Sequence, residues 1–122
     1  MNDRALLRLS AAGRIVIGLG FMLAPGRVGA AWIGKRAADR GTQIFVRATG
    51  ARDVALGIGT LWALGRPGSL KPWLYGAAIA DLTDAAATLA AGDAIPEAAR
   101  NSAVAVAGSA AAGDVVLAAR LG

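Results

Sequence analysis

Seven ionisable side chains lie inside long stretches of Ala, Gly, Leu, Ile and Val. They are three arginines and four aspartates: Arg14, Arg47, Arg52, Asp53, Asp81, Asp84 and Asp114. A charged side chain at the centre of a membrane costs roughly 2.5 to 3.5 kcal/mol, so such groups face protein, water or each other. The near-balance of charge predicts a paired Arg/Asp network in the interior of a helical bundle.

Two roles are open to this network. Three arginines do not neutralise four aspartates, and Asp81 and Asp84 are close enough on one helix face to share a proton, as a proton relay or a general acid would. The alternative role is structural, because buried ion pairs fix helix register and orientation. Arg47 lies about one turn from the start of its apolar segment, so reaching the membrane interface is a further alternative for it.

Composition indicates a single integral-membrane domain over residues 1–122. Hydrophobic residues make up 56% of the chain, well above an ordinary soluble protein. The chain has no Cys and no His. Disulfides, thiol catalysis and the usual ligands of zinc and haem are therefore excluded, and we predict no cofactor and no metal.

Four apolar segments are separated by turn-forming or charged residues. They cover about residues 5–24, 42–64, 73–91 and 96–121, and each reaches the roughly 20 residues that cross a bilayer. Ala and Leu dominate without sustained period-two alternation, which argues against strands. We predict an all-α fold, a four-helix transmembrane bundle with antiparallel up-down topology and short loops. The longer connection from Gly26 to Gly41 is either an amphipathic piece along the membrane surface or an ordered loop.

Two of the predicted helices carry a stripe of small and polar residues on one face. The stripes are Gly50, Asp53, Gly57 and Thr60 on the second helix, and Ala77, Asp81, Asp84 and Thr88 on the third. We expect the two stripes to meet, with Gly50 and Gly57 as helix-contact positions that allow close approach. Asp114 on the fourth helix closes the cluster. Arg52 points about 100° away from Asp53, so we expect it to pair with a carboxylate on another helix rather than with Asp53.

The formal net charge of +5 comes mainly from residues at the helix ends and in the loops. Basic residues scattered beside apolar spans favour the lipid bilayer and its anionic headgroups as partners, and argue against nucleic acid. We predict a multi-pass protein of the inner (plasma) membrane. Five loop cations lie on each side of the predicted membrane, so this count does not decide the orientation. Arg14 is nearest the side of the termini, and we therefore predict that both termini are cytoplasmic.

The string Arg47-Ala-Thr-Gly50-Ala-Arg52-Asp53-Val-Ala-Leu-Gly57 resembles an uncharacterised domain-of-unknown-function family of small four-helix bacterial integral-membrane proteins. The resemblance extends loosely to the Leu-Ala-Pro25 end of the first helix and to the region of Asp81 and Asp84. It implies a four-helix membrane fold and no activity.

Three functions fit these features. The first is a non-enzymatic accessory, assembly or self-associating subunit, whose partner is a second copy or a larger membrane complex. The second is a carrier or binder of a small amphipathic or lipid-like ligand between the helices, with Asp81 and Asp84 at its polar end. The third is an intramembrane enzyme with an Asp as general acid, and it has the least support because no nucleophile, metal set or cofactor motif accompanies the carboxylates.

Overall fold

The computed structural model describes residues 2–122 and is helical throughout, which confirms the predicted all-α class. Four long helices alternate in direction: α1 (Asp3–Leu23), α3 (Arg40–Leu64), α4 (Leu70–Ala91) and α5 (Glu97–Leu121). A fifth, short helix, α2 (Pro25–Ile33), lies between α1 and α3. Both chain ends are on the same side, where Arg120 Nη1 at the end of α5 lies 3.2 Å from Asp3 Oδ1.

Local sequence explains where the helices begin and end. Asn2 caps α1 through its side chain, and Pro25 disfavours helical backbone at Ala24, so α1 ends at Leu23 and Pro25 opens α2. Short 3-10 segments, Gly34–Ala38 and Gly92–Ala94, follow α2 and α4, and each begins at a glycine with positive φ.

Asp39 caps the start of α3. Its carboxylate accepts hydrogen bonds from the backbone N–H of Thr42 at 2.8 Å and from the Thr42 hydroxyl at 2.9 Å. These bonds lower the pKa of the Asp39 carboxyl from its ordinary value.

The connection between α1 and α3 is more ordered than a simple loop. α2 and the 3-10 segment Gly34–Ala38 fill most of residues 26–41, while a position along the membrane surface stays a prediction. α4 also begins earlier than expected, at Leu70 instead of after Pro72. A proline is tolerated there because the first turn of a helix has no intrahelical partner for its N–H groups.

Packing is uneven around the four long helices. α1 packs closely on α3 and α4 on α5, whereas the α3–α4 contact is lighter and α1 barely touches α5. At the end that holds the chain termini, an apolar cluster joins the helices, and Leu7 and Leu74 are its largest fully buried side chains. Most of the other buried apolar residues are alanines.

Large apolar side chains instead cover the outside of the molecule. Leu23, Phe45, Ile79 and Val106, one on each long helix, are 65 to 79% exposed. By length and composition, two helices qualify as candidate membrane spans, namely α1 and α5. Four spans therefore remain a prediction.

Candidate functional site

Arg14 is the centre of the interior polar cluster. It lies in the middle of α1, and its guanidinium binds Asp81 of α4 with two parallel hydrogen bonds, Nη1 to Oδ1 at 2.9 Å and Nη2 to Oδ2 at 2.5 Å. Nη2 also donates to Asp114 Oδ2 of α5 at 3.3 Å, and Nη1 lies 3.5 Å from Asp53 Oδ1 of α3. One arginine therefore connects all four long helices.

Arg52 holds the second half of the cluster. Its Nη1 and Nη2 bind the two carboxylate oxygens of Asp84 at 2.9 and 2.5 Å. Nη2 also lies 3.0 Å from Asp53 Oδ1, so Asp53 contacts both arginines and joins the halves. We call these six residues the ionic cluster: Arg14, Arg52, Asp53, Asp81, Asp84 and Asp114.

The ionic cluster satisfies its own hydrogen bonds. Within residues 2–122, no buried side-chain nitrogen or oxygen is left without a partner. Such satisfaction is what makes buried charge tolerable, because an unpaired ion in an apolar interior costs several kcal/mol. The charges nevertheless do not balance: two guanidinium groups face four carboxylates, so with every group ionised the cluster has a formal charge of −2.

Arg47 is not part of the ionic cluster. Its side chain is on the surface, and Nη1 donates to the backbone carbonyl of Met22 near the end of α1. Both Arg47 and Arg14 lie in apolar stretches, but their depths along the helices differ. Arg14 lies 11 residues from the start of α1, roughly 16 Å along the axis, whereas Arg47 lies seven residues from the start of α3. Depth along the helix was the signal that distinguishes them.

Of two further expectations about the polar residues, one is confirmed in part and the other is wrong. Arg52 pairs with Asp84 on another helix, but it also reaches its own neighbour Asp53, because a long flexible side chain offsets the angle between adjacent positions. Asp81 and Asp84 do not form a proton-sharing pair, because Asp81 binds Arg14 and Asp84 binds Arg52.

Gly50 and Gly57 of α3 pack against α1, although we expected them to pack against α4. A Cβ on Gly50 would meet the carbonyl oxygen of Gly18, and a Cβ on Gly18 would lie 2.6 Å from the carbonyl oxygen of Gly50. A Cβ on Gly57 would lie 2.8 Å from the carbonyl oxygen of Ala11. The close approach needs small residues on both helices, and α1 supplies them at these levels.

A cleft of about 570 Å³ opens between α1 and α5, directly over the ionic cluster. Its walls are mostly apolar and include Ile17 of α1 and Val106 and Ala107 of α5. Arg14 and the carboxylates of Asp53, Asp81 and Asp84 line the bottom, whereas Asp114 does not line the cleft. The volume falls in the range of small-molecule sites.

Trp32 of α2 lines one end of this cleft. Its indole Nε1 donates to the Thr88 hydroxyl at 2.9 Å, and Thr88 in turn donates to the backbone carbonyl of Asp84 at 2.6 Å. The ring also packs against Phe21, with 5.7 Å between ring centroids. These bonds point the indole N–H into the protein and link α2 to the ionic cluster.

Among residues 2–122, no group of three or more acidic, His or Cys side chains is arranged to hold a metal ion. Comparison with family models, with curated proteins and with solved structures gave no match for this chain. The resemblance to a family of unknown function stays a prediction. The chemistry of the site must therefore be inferred from the cleft and the ionic cluster alone.

Proposed function

We propose that this protein is a multi-pass protein of the inner membrane whose cleft between α1 and α5 binds a small amphipathic or lipid-like molecule. The observation that carries the proposal is the cleft itself, with apolar walls above an ionic floor. It lies between the two helices that qualify as membrane spans, so a lipid-soluble molecule would enter sideways from the bilayer.

The distribution of side chains supports the membrane location. Large apolar residues on all four long helices face outward, whereas water-soluble proteins rarely expose extended apolar patches. The Thr83 hydroxyl on the outer surface of α4 donates to the carbonyl of Ile79 in its own helix at 2.8 Å, a bond that would satisfy this hydroxyl in a bilayer. We further propose cytoplasmic termini, four spans, and anionic headgroups as partners of the basic helix ends.

The four-span arrangement is testable with single cysteines, because the chain has none of its own. We expect Lys35→Cys and Asp93→Cys to react with an impermeant maleimide on intact cells. Asn2→Cys and Pro67→Cys, on the opposite side, should react only after the membrane is opened. Thr83→Cys should react only in denaturing detergent. Equal labelling of all five positions on intact cells would exclude the arrangement.

Ligand binding is testable by filling the cleft. Ala107 lines it, whereas Ala105 of the same helix faces outward. We expect protein extracted in mild detergent to retain one small molecule, seen by native mass spectrometry. Ala105→Phe should keep this molecule and Ala107→Phe should lose it, with unfolding unchanged in both. Equal retention by the two variants would contradict the proposal.

An accessory or assembly subunit is the second candidate function. A specific observation favours it: the ionic cluster is fully satisfied and joins four helices, as expected of a device that fixes packing. The same native mass spectrum distinguishes the two candidates, because this one requires a stoichiometric protein partner or second copy. The proposal of a general-acid enzyme gains nothing comparable, since each carboxylate of the cluster is held by an arginine.

A further inference from the structure

We propose that the occupant of the cleft is a cationic amphiphile, with an ammonium-type headgroup at the ionic cluster and an alkyl or aryl tail between α1 and α5. This inference rests on the proposed function, because it names the chemical class of the molecule that the cleft binds. Three features of the cleft carry it: the charge of its floor, the engagement of its arginines and the shape of its walls.

The floor of the cleft is acidic. Of the ionisable residues that line it, one is a guanidinium and three are carboxylates: Arg14, Asp53, Asp81 and Asp84. Arg52 and Asp114 complete the cluster from behind and leave its formal charge at −2. A cation placed here removes part of this excess in a region of low dielectric, where charge complementarity is strong.

The terminal nitrogens of both arginines are already engaged by carboxylates of the cluster. Both terminal nitrogens of Arg14 are bound by Asp81, and Nη2 contacts Asp114 as well. Arg52 is occupied in the same way by Asp84 and Asp53. A carboxylate or phosphate ligand would compete with these carboxylates for the arginines, and it would add negative charge to a cluster whose formal charge is already −2.

Asp84 is the carboxylate best placed to receive the cation. Its side chain is 22% exposed, against 9% for Asp81 and 6% for Asp114. It also lies next to the aromatic end of the cleft, because Thr88 links the Asp84 backbone to Trp32. Aromatic rings beside a carboxylate are a common environment for ammonium groups.

The walls fit a slim apolar tail. On α5 they are mostly small residues, with Ala103, Ala107 and Ala110 following one another along the helix face beside Val106. On α1, Gly13 and Ile17 form the opposite wall. A chain of about ten carbons is within the volume that sites of this size accommodate.

The test compares three probes with the same ten-carbon chain: decyltrimethylammonium, decanol and decanoate. The protein is reconstituted in nanodiscs of zwitterionic lipid, and each probe is measured by its displacement of the co-purified molecule in native mass spectrometry and by the shift in thermal unfolding. We expect the ammonium probe to bind about tenfold or more tightly than decanol, and decanoate to bind weakest. Asp84→Asn should reduce the preference for ammonium over decanol, while Ala107→Phe should abolish binding of all three.

The outcomes separate this inference from the proposed function. If decanol or decanoate binds as well as the ammonium probe, and Ala107→Phe removes that binding, the cleft is a binding site but the cationic class is wrong. An unchanged preference in Asp84→Asn would also overturn the cationic class. If Ala107→Phe binds the ammonium probe like the unmodified protein, the cleft is not the site and both proposals fail.

Discussion

Replacing Arg14 by Gln is expected to destabilise the protein more than any other single change in the ionic cluster. The substitution leaves Asp81 and Asp114 buried without their main counter-charge and removes the 3.5 Å ion pair with Asp53. Breaking a buried ion pair from one side costs about 3 to 5 kcal/mol. The free energy of unfolding, measured by circular dichroism during titration with SDS in mixed micelles, should fall by at least this amount.

Arg47→Gln is the matched control for Arg14→Gln. Both remove an arginine from an apolar stretch, but Arg47 is on the surface and contacts a backbone carbonyl. Its loss should cost about 1 kcal/mol or less. Adding Asp81→Asn to Arg14→Gln should recover part of the loss, because the uncompensated charge disappears. Similar losses for the two single variants would mean that Arg14 does not organise the interior.

Gly50→Ala is expected to separate α1 from α3. The added Cβ would meet the Gly18 carbonyl oxygen, and it would lie 2.8 Å from the Cβ of Phe21, so backbone has to move. Overpacking of this kind costs about 1 to 3 kcal/mol and exceeds the gain of about 1 kcal/mol in helix propensity. Titration with SDS should show a clear loss of stability.

Gly113→Ala provides the comparison for Gly50→Ala. It makes the same chemical change inside a long helix, but a Cβ at Gly113 has no atom within 4 Å. This variant should be neutral or slightly more stable, because only the helix propensity changes. If Gly50→Ala is as stable as Gly113→Ala, α1 and α3 are not packed closely enough at Gly50 for an added Cβ to clash with the Gly18 carbonyl oxygen.

Much of the secondary structure follows from local chemistry. Long Ala- and Leu-rich stretches predict helices, and the proline and glycine punctuation places their ends within a few residues of where they occur. Periodicity also placed Asp53, Asp81 and Asp114 on faces that are buried. These properties depend on neighbours along the chain, which the sequence displays directly.

The pairing between helices did not follow from local chemistry. A short connection makes α3 and α4 neighbours in space, but it does not make them the tightest pair, and Gly50 and Gly57 of α3 pack against α1. The choice of Arg14 over Arg47 as the central cation likewise depends on which residues lie at the same depth on four helices. The cleft exists because α1 and α5 make little contact along part of their length. The sequence of either helix alone does not reveal this.

The packing divides the molecule into two halves of different charge. One half, α1 with α3, contributes both guanidinium groups and Asp53; the other, α4 with α5, contributes three carboxylates and no cation to the cluster. Steric fit holds each half together, whereas the ionic cluster joins one half to the other, together with the apolar cluster at the end that holds the chain termini. Loss of these ion pairs would let α1 and α5 move apart, while the pair α1 with α3 and the pair α4 with α5 each stay packed.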